Sequence, residues 1–393
     1  MPQPKPTATA AAVLLLFLTL AALSPCRALS TAAASVDAAG LRAFKSAVRP
    51  SSIPPTSCLA TWDFAAADPC AAPRVAHFTC GVTCAAGRVV QLTLDSQGYV
   101  GTLTPLISKL TALIDLDIGA NGFYGPIPAT ISALPNLRSL ILRVNSFSGS
   151  VPPSIGRLRS LATLDFSHNS LSGNLPDMSG LSGLTRLDLS YNKLTGPLRG
   201  LPPNLNELAL KSNSLSGPLG RNEFAGLTRL VVAELSENSL AGEVGSWFFL
   251  LPALQQADLA RNRFTAINVA RPPPATASEL VAVDLSYNRI DGLLPENFSE
   301  YPALRSLSLR YNRLRGPIPR RYGGRGSPLR RLYLDGNYLN GSPPEGFFSG
   351  GGPVSGSLGD NCLEKCPARS GLCLKSQKPA SICRQAYGGK PMS

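Results

Sequence analysis

A short pattern recurs along this chain and limits what it can fold into. Its best copy is LTRLDLSYNKLTGPL, which runs from Leu184 to Leu198. The other copies align with it on an asparagine, and in one case on a glutamine, at intervals of 21 to 26 residues. Repeats of this length cannot fold singly, so the sequence predicts a solenoid of stacked coils. The aligned positions are Gln97, Asn121, Asn145, Asn169, Asn192, Asn213, Asn238, Asn262, Asn288, Asn312 and Asn337.

The leucines of each copy supply the core of such a solenoid. Leu184, Leu187 and Leu189 alternate at the spacing of a short strand. Leu194 and Leu198 add two inward anchors, and stacking the copies turns these columns into one continuous core. The asparagine lies where the chain leaves its strand. We therefore expect its amide to bridge backbone groups of neighbouring coils that would otherwise be buried without a partner.

The amino terminus has the features of a secretory signal peptide. An apolar run from Ala11 to Leu23 follows Lys5 and precedes a cleavage site near Ala28, so we assign residues 1–28 to this peptide. The run is too short to span a bilayer, and no later stretch of the chain is long and apolar enough. We expect a secreted protein of the extracellular space or cell wall with no membrane span.

Eight further cysteines flank the repeats in two groups of four. The first group lies within residues 29–88 and the second within residues 345–393, which leaves residues 89–344 as an array of about 11 repeats. In an oxidising compartment we expect each group to form a disulfide-stapled cap, with three possible pairings per cap. Zinc binding is the alternative, because each group contains a close pair, as Cys80 and Cys84 do. The eight are Cys58, Cys70, Cys80, Cys84, Cys362, Cys366, Cys373 and Cys383.

The repeat pattern LxxLxxLxLxxNxLxGxIP resembles that of plant receptor-like kinase and receptor-like protein ectodomains and of polygalacturonase inhibitors. The segments LRAFKSAV, TWDF and DPC before the array are similar to the amino-terminal cap of those families. The resemblance covers about residues 36–385 and implies an α/β repeat solenoid, a leucine-rich repeat horseshoe with a parallel β-sheet on its concave face. The repeat around Asn262 departs from it, because AINVARPPPATASEL replaces the Gly-x-x-Pro step. This segment is either a contact surface or a tolerated insertion.

Side chains that alternate with the inward leucines point onto the concave sheet, the usual contact surface of a solenoid. Acidic residues recur four positions before the aligned asparagines, and aromatic and basic residues recur one and two positions before them. Aromatic side chains and arginine are typical binding anchors, so we predict protein or peptide contact on this face. The predicted binding residues are Asp117, Arg143, Asp165, His168, Asp188, Tyr191, Glu234, Asp258, Asp284, Tyr287, Arg310 and Tyr311.

A glycosidase is the alternative interpretation of the acidic positions. Strands about 4.8 Å apart would bring Asp165 close to Asp188, and carboxylates about 5 to 5.5 Å apart suit a retaining mechanism. The acidic positions are regular, however, and no insertion builds a pocket around one pair. The two histidines, His77 and His168, have no metal-binding spacing. We therefore predict a non-enzymatic protein without a cofactor.

The carboxy-terminal third is rich in arginine, in a chain of formal net charge +13. Such charge favours an acidic partner, and for a secreted protein we expect a polysaccharide such as pectin and no nucleic acid. Arginines that merely keep the protein soluble are the alternative. The sequons at Asn297 and Asn340 predict N-glycosylation. The predicted polysaccharide-binding residues are Arg320, Arg321, Arg330 and Arg331.

Three hypotheses about function follow from these features. The first is a binding protein whose concave face recognises an extracellular protein or peptide, including a receptor kinase ectodomain, as the resemblance implies. The second is an inhibitor of wall-degrading enzymes, similar to the polygalacturonase inhibitors. The third is a wall-associated protein held on pectin by its arginines.

Overall fold

The chain forms a stack of coils, each of which contributes one short strand to a single long sheet. This computed structural model describes residues 36–64, 69–70, 80–273, 278–324, 326–348, 354–367 and 369–388. The predicted signal peptide, residues 1–28, lies outside them. The fold class predicted from the sequence, a capped leucine-rich repeat solenoid with a parallel sheet, is confirmed.

The long sheet has 13 strands, and strands are numbered here in chain order. The first, β1, pairs antiparallel with β2, and every later strand pairs in parallel with its neighbour in the next coil. This sheet carries the concave face. Its strands are β1 (Val82–Ala85), β2 (Arg88–Thr93), β4 (Asp115–Asp117), β6 (Ser139–Ile141), β8 (Thr163–Asp165), β10 (Arg186–Asp188), β12 (Glu207–Ala209), β14 (Val232–Glu234), β16 (Gln256–Asp258), β18 (Ala282–Asp284), β20 (Ser306–Ser308), β22 (Arg331–Tyr333) and β24 (Ser355–Ser357).

The other strands lie on the flank of the solenoid in two separate parallel sheets. The predicted glycine turns lie at the ends of these strands, where Gly173 has φ 78° and Gly316 has φ 77°. One sheet contains β3 (Val100–Thr102), β5 (Gly122–Gly125), β7 (Ser146–Ser150), β9 (Ser170–Asn174), β11 (Lys193–Gly196), β13 (Ser214–Gly217), β15 (Ser239–Val244) and β17 (Arg263–Ile267). The other contains β19 (Asp291–Leu293), β21 (Arg313–Pro317), β23 (Tyr338–Gly341) and β25 (Cys362–Leu363).

Helices are short and lie between the flank strands and the next concave strand. Residues 36–46 are α-helical at the amino-terminal end. Other α-helices are Cys58–Thr61, Arg221–Phe224, Ser246–Phe249 and Ala380–Ala386. Single 3-10 turns occur at Pro50–Ser52, Pro105–Lys109, Ala129–Ala133, Pro153–Arg157, Glu296–Glu300, Arg320–Gly323, Glu345–Phe347 and Gly371–Cys373.

The core is the leucine column that the repeat predicted. In the best copy Leu184, Leu187, Leu189 and Leu194 have no exposed surface, and Leu198 is 2% exposed. The same positions in neighbouring coils join them in one cluster that runs from the amino-terminal helix to the carboxy-terminal cap. Each coil therefore depends on its neighbours for most of its apolar burial.

The repeated asparagines hold adjacent coils together through buried hydrogen bonds. Asn192 Nδ2 donates to the Phe166 carbonyl of the preceding coil at 3.0 Å, and its Oδ1 accepts from the Leu171 N–H at 2.9 Å. Nδ2 also donates to carbonyls of its own coil, at Leu189 and Ser190. The predicted bridging role is thus confirmed, and Gln97 takes no part in it among the described residues. We call these asparagines, from Asn121 onward, the asparagine ladder.

The ladder continues one coil beyond residue 344, the predicted end of the array. Asn361 Nδ2 donates to the Leu334 carbonyl at 3.0 Å, and its Oδ1 accepts from the Leu339 N–H at 3.1 Å. In the same coil, β24 extends the concave sheet next to β22. This coil is hard to recognise in the sequence, because Gly356 stands opposite Leu332, where other strands carry a leucine.

Disulfides close both ends of the solenoid. All eight cysteines are paired in the structure, as predicted in preference to zinc binding. The pairs are Cys58–Cys80, Cys70–Cys84, Cys362–Cys383 and Cys366–Cys373.

The amino-terminal helix is held against β2 by Asp37, which has no exposed surface. It accepts hydrogen bonds from the Arg88 side chain and from the Val89 N–H.

The flank is interrupted between β17 and β19, at the repeat that lacks the Gly-x-x-Pro step. Side chains of the next coil replace the missing sheet bonds. Asn297 Nδ2 donates to the Val269 carbonyl at 2.8 Å, and the Tyr301 hydroxyl donates to the Ala270 carbonyl at 3.0 Å. The start of the proline-rich segment is thus attached to the solenoid by two side chains.

We predict that Asn262→Ala destabilises the fold by about 2 kcal/mol, because it leaves the buried Leu240 N–H without a partner and removes one of the two amide bonds to the Leu235 carbonyl. The change should appear as a lower midpoint in urea unfolding followed by circular dichroism. Asn204→Ala is the control, since Asn204 makes a single exposed bond to the Ser182 carbonyl. Equal midpoints for the two variants would contradict the role given to the ladder.

Candidate binding face

The predicted acidic residues lie on the concave sheet at the ends of successive strands. Asp188 Oδ1 accepts from the Ser190 N–H at 3.0 Å and from the Ser190 hydroxyl at 2.6 Å. Asp165 is bonded in the same way to Ser167. These carboxylates therefore cap the backbone where each strand ends. The sequence alone did not reveal this local role.

Three further acidic residues lie next to one another on adjacent strands. Glu234, Asp258 and Asp284 are direct neighbours in the register of β14, β16 and β18. No Lys, Arg or His among the described residues lies within ion-pair distance of any of them, whereas Glu207 pairs with Arg186 at 3.0 Å. We call Glu234, Asp258 and Asp284 the unpaired acidic row.

Two members of this row, Glu234 and Asp258, have raised pKa values. Glu234 is exposed at its surface, but partial loss of solvent around its carboxylate raises its pKa, and the nearby carboxylates of Asp258, Asp188 and Glu207 raise it further. Burial likewise raises the pKa of Asp258, although hydrogen bonds from Ser236 and Ala260 act in the opposite direction. The row therefore holds uncompensated negative charge in a chain that is strongly basic overall.

A second set of side chains stands immediately before the ladder asparagines. The backbone there is left-handed although most of these residues are not glycine, with φ between 51° and 56°. The left-handed turn is repeated from coil to coil, so the side chains line up in a column. We call them the stacked column, which consists of His168, Tyr191, Ser212, Glu237, Arg261, Tyr287 and Tyr311.

Rings and a guanidinium group stack along this column. The ring centroids of His168 and Tyr191 are 4.1 Å apart, and those of Tyr287 and Tyr311 are 4.7 Å apart. The Arg261 guanidinium lies 4.6 Å from the Tyr287 ring centroid. Stacked rings cover one another's faces, so the column offers mainly ring edges, hydroxyl groups and guanidinium N–H groups to a partner.

Charged side chains connect the two ends of the column. Ser212 is hydrogen-bonded to the Glu237 carboxylate, which also lies 3.8 Å from Lys211 Nζ. Burial opposes the charge of Lys211, but Tyr191, Glu237 and Asp258 outweigh it and raise its pKa. Lys211 is therefore held as a cation between the column and the unpaired acidic row.

Contacts that the sequence did not predict hold Arg310 in place next to the carboxy-terminal cap. Its Nη2 lies 2.8 Å from Asp335 Oδ2, and the Asp335 side chain is fully buried. Lys375, from the cap, lies 3.0 Å from the same oxygen. The Arg310 guanidinium also packs on the rings of Tyr311 and Tyr333. Arg310 thus forms a fixed wall of the binding face.

These groups surround a depression of about 480 Å³ on the concave face. Its floor is made of small residues and acidic side chains from β16, β18 and β20, including Asp258 and Asp284. Its rim includes Lys211, Arg261, Tyr287, Arg310 and Tyr333. We call it the central depression.

The structure brings together only part of the predicted binding set. Asp258, Asp284, Tyr287 and Arg310 line the central depression. His168 and Tyr191 lie further toward the amino terminus along the column. Asp117 and Arg143 lie in the first coils, where Asp117 caps its own strand through the Gly119 N–H and Arg143 is exposed.

Other residues of the face are not among the predicted binding residues. Lys211, Glu237, Arg261 and Tyr333 line the central depression, and Lys375 lies against Asp335 beyond its rim. The repeat pattern could have identified Tyr333, because it occupies the position that is acidic in six other repeats. It could not have identified Lys375, which lies in the cap outside the repeats.

The four arginines predicted to bind polysaccharide do not form one patch. Arg320 and Arg321 lie on a 3-10 turn, whereas Arg331 is in β22 on the concave sheet and Arg330 directly precedes that strand. All four are exposed, but Arg321 is paired with Glu296 at 3.1 Å and with Glu300.

The two sequons differ in accessibility. Asn340 lies in β23 with 5% of its surface exposed, which leaves little room for a glycan. Glycosylation at Asn340 stays a prediction. Asn297 is half-buried at the start of a coil, and glycosylation there remains a prediction.

The described part of the chain contains no group of three or more His, Cys, Asp or Glu side chains suited to a metal ion. Nor does a helix within it have the length and apolar character needed to cross a membrane.

We predict that Glu234→Gln raises the free energy of unfolding at neutral pH by a few tenths of a kcal/mol, a small effect because Glu234 is exposed. The folded protein holds this proton more tightly than the unfolded chain does. Ionisation of Glu234 therefore lowers the free energy of unfolding as the pH rises from the usual carboxyl pKa through the raised pKa of Glu234 in the folded protein. The gain should disappear below this window, and in high salt. Urea unfolding of both proteins across pH 3 to 8 tests it; a gain that persists at the lowest pH would argue against charge repulsion.

Parts of the chain match two family models of this repeat. The model Leucine rich repeat matches residues 135–194, and the model Leucine Rich Repeat matches residues 183–208, 279–301 and 328–349. Between these matches, Asn213, Asn238 and Asn262 make the same ladder bonds within residues 209–273.

Plant receptors are among the similar proteins. The calmodulin-binding receptor kinase CaMRLK of Arabidopsis thaliana is 34% identical over 139 residues, 35% of this chain and 20% of that protein. The plant peptide hormone receptor RGFR1, solved in complex with RGF2, gives a TM-score of 0.60 at 33% identity over 67% of this chain and 42% of that chain. The ectodomain of the Arabidopsis receptor kinase HAESA, in complex with an IDA peptide hormone ligand, gives 0.61 at 27% identity over 84% of this chain and 58% of that chain.

These matches span about a fifth of the kinase and about half of the two receptor structures. They agree with the repeats and sheets described above. The chain is therefore a leucine-rich repeat protein, and its repeats are similar to those of plant receptor-like proteins and receptor ectodomains.

Proposed function

We propose that this chain is a secreted, non-enzymatic protein that binds an extracellular peptide or protein through its concave face. The observation that carries the proposal is the stacked column. Its aromatic and basic side chains are lined up across successive coils by a left-handed backbone turn that each coil repeats.

A column of this kind favours binding because it is already ordered. Side chains that are fixed before binding lose less conformational entropy when a partner arrives. Tyrosine and arginine present both apolar surface and hydrogen-bonding groups, and they are common at the centres of interfaces. The strain of the left-handed residues, about 1 to 2 kcal/mol each, is offset by the ladder bonds beside them.

The acidic residues support binding more than catalysis. Asp165 and Asp188 each accept two hydrogen bonds from a serine of their own coil. A carboxylate held in this way is committed to the backbone and is poorly placed to act as a nucleophile or a general acid.

The similar structures support a peptide or protein as the partner. RGFR1 was solved with RGF2, and HAESA with a peptide hormone ligand. The disulfides of both caps agree with folding in an oxidising compartment and so with secretion. Because the chain spans only part of those receptors, the particular partner has to be found by experiment.

We predict that the double substitution Tyr287→Ala and Tyr311→Ala weakens partner binding by at least about tenfold, since it removes a stacked pair from the column. The immobilised protein would capture partners from plant extracellular wash fluid. Each captured protein or peptide would be identified by mass spectrometry, purified and titrated against both forms.

Tyr124→Ala is the matched control. Tyr124 is an exposed tyrosine on flank strand β5, where it contacts Arg49, and its loss should leave the affinity unchanged. Equal affinity of the wild type and the double variant for every partner would refute binding through the column. Capture of only pectin-rich material that salt releases would favour the pectin hypothesis. Inhibition of purified polygalacturonases, lost in the double variant, would identify the partner as such an enzyme.

A further inference from the structure

The central depression contains a carboxylate with spare acceptor capacity and serine hydroxyl groups that have no partner among the described residues. Asp258 and Asp284 on its floor have no cation within ion-pair distance among the described residues. Asp258 accepts two hydrogen bonds, from the Ser236 hydroxyl at 2.6 Å and from the Ala260 N–H at 3.1 Å, whereas Asp284 accepts one, from the Ser286 N–H at 2.8 Å. The Asp284 carboxylate therefore retains most of its capacity to accept hydrogen bonds.

The serine hydroxyl groups at this place are also free. Ser286 and Ser308 line the depression and are 4% and 7% exposed, yet neither hydroxyl has a hydrogen-bond partner among the described residues. In two other coils the equivalent hydroxyl is used, since those of Ser167 and Ser190 donate to the preceding aspartate at 2.7 and 2.6 Å. Both hydroxyl oxygens are accessible from the depression, so a ligand there can bond to them.

Charges on the rim do not neutralise the floor. Lys211 is shared with Glu237, and Arg310 is paired with Asp335. Arg261 lies on the Tyr287 ring with no carboxylate at ion-pair distance among the described residues. Of the charges without an ion-pair partner at the depression and beside it, three are negative, Glu234, Asp258 and Asp284. Two are positive, Arg261 and Arg331, and Arg331 stands opposite Ser306 in the register of β20 and β22. The floor thus has an excess of negative charge within a basic chain.

We propose that the central depression is the subsite for a basic side chain, lysine or arginine, of the segment bound on the concave face. The inference rests on the proposed function and adds the chemistry that the partner must carry. The ammonium or guanidinium group supplies N–H donors to Asp258, Asp284 and the free serine hydroxyls. Arg261 on the rim then faces a carbonyl or acidic group of the same segment.

The size and walls of the depression suit such a side chain. Its volume of about 480 Å³ lies within the range of small-ligand pockets, about 300 to 1,000 Å³. Tyr287 and Tyr333 provide aromatic surface for the methylene groups of the side chain and for cation–π contact. A cation also relieves the repulsion between adjacent carboxylates.

The test uses random twelve-residue peptides displayed on phage and selected on the wild-type protein. Competition with the Tyr287→Ala and Tyr311→Ala variant retains only peptides that need the stacked column. Synthetic copies of these peptides are then titrated against a double variant, Asp258→Asn with Asp284→Asn. Asparagine keeps the Oδ1 acceptor that each aspartate uses to cap its strand, so the fold is retained.

We expect the selected peptides to share a lysine or arginine, and the double variant to bind them at least about tenfold more weakly. Replacing that basic residue with glutamine should cause the same loss in the wild type and no further loss in the variant. Asp165→Asn with Asp188→Asn is the matched control. It changes two aspartates with the same capping role outside the depression, and should alter affinity less than about twofold.

Other results would overturn the inference in distinguishable ways. Column-dependent peptides that share no basic residue, or bind the Asn variant equally well, would refute the subsite and leave the proposed function intact. Failure to select any column-dependent peptide would count against both. If no peptide is selected and soluble oligosaccharides bind the wild type but not the Asn variant, the subsite accepts a carbohydrate and the proposal is wrong.

Discussion

The buried side-chain amide of the asparagine ladder is the interaction on which the other features depend. Each amide serves groups in two coils at once, so it fixes both the distance and the register between them. Because the register repeats, the strands align into one sheet and the residues before each asparagine align into a column. The same hydrogen bonds therefore determine the packing of the core and the alignment of side chains on the concave surface. Substitution of one asparagine is expected to affect both.

The acidic residues of the concave face differ in how many hydrogen bonds they already accept. Asp165 and Asp188 close the ends of their own strands and have their bonding capacity largely satisfied. Asp258 occupies the same position and also accepts two hydrogen bonds, from the Ala260 N–H and the Ser236 hydroxyl, whereas Asp284 accepts one and lies beside the unused Ser286 hydroxyl. Identical residues at identical repeat positions thus differ in what they offer to a partner, and the difference arises from the neighbouring coils.

Periodicity made the coils, inward leucines and bridging asparagines predictable, because each follows from a spacing repeated many times. The coil around Asn361 was missed since Gly356 replaces the leucine that marks a strand. Cysteine pairing and the position of Lys375 depend on three-dimensional contacts without a period. The left-handed turn before each asparagine is periodic, but many residue types occupy it, so no residue pattern marks it in the sequence. The predicted acidic residues were found on the concave sheet, but the sequence could not show how many hydrogen bonds each carboxylate accepts.

The interruption of the flank has a mechanical consequence. Backbone hydrogen bonds join every pair of adjacent coils on the concave side. Between β17 and β19 the flank sheet is broken, and one backbone bond, from the Arg289 N–H to the Phe264 carbonyl, and two side chains span the gap. A solenoid bends most easily where hydrogen bonds between adjacent coils are missing on one side. This junction lies between the coils that contribute Asp258 and Asp284, so the solenoid is most compliant at the coils that carry the central depression.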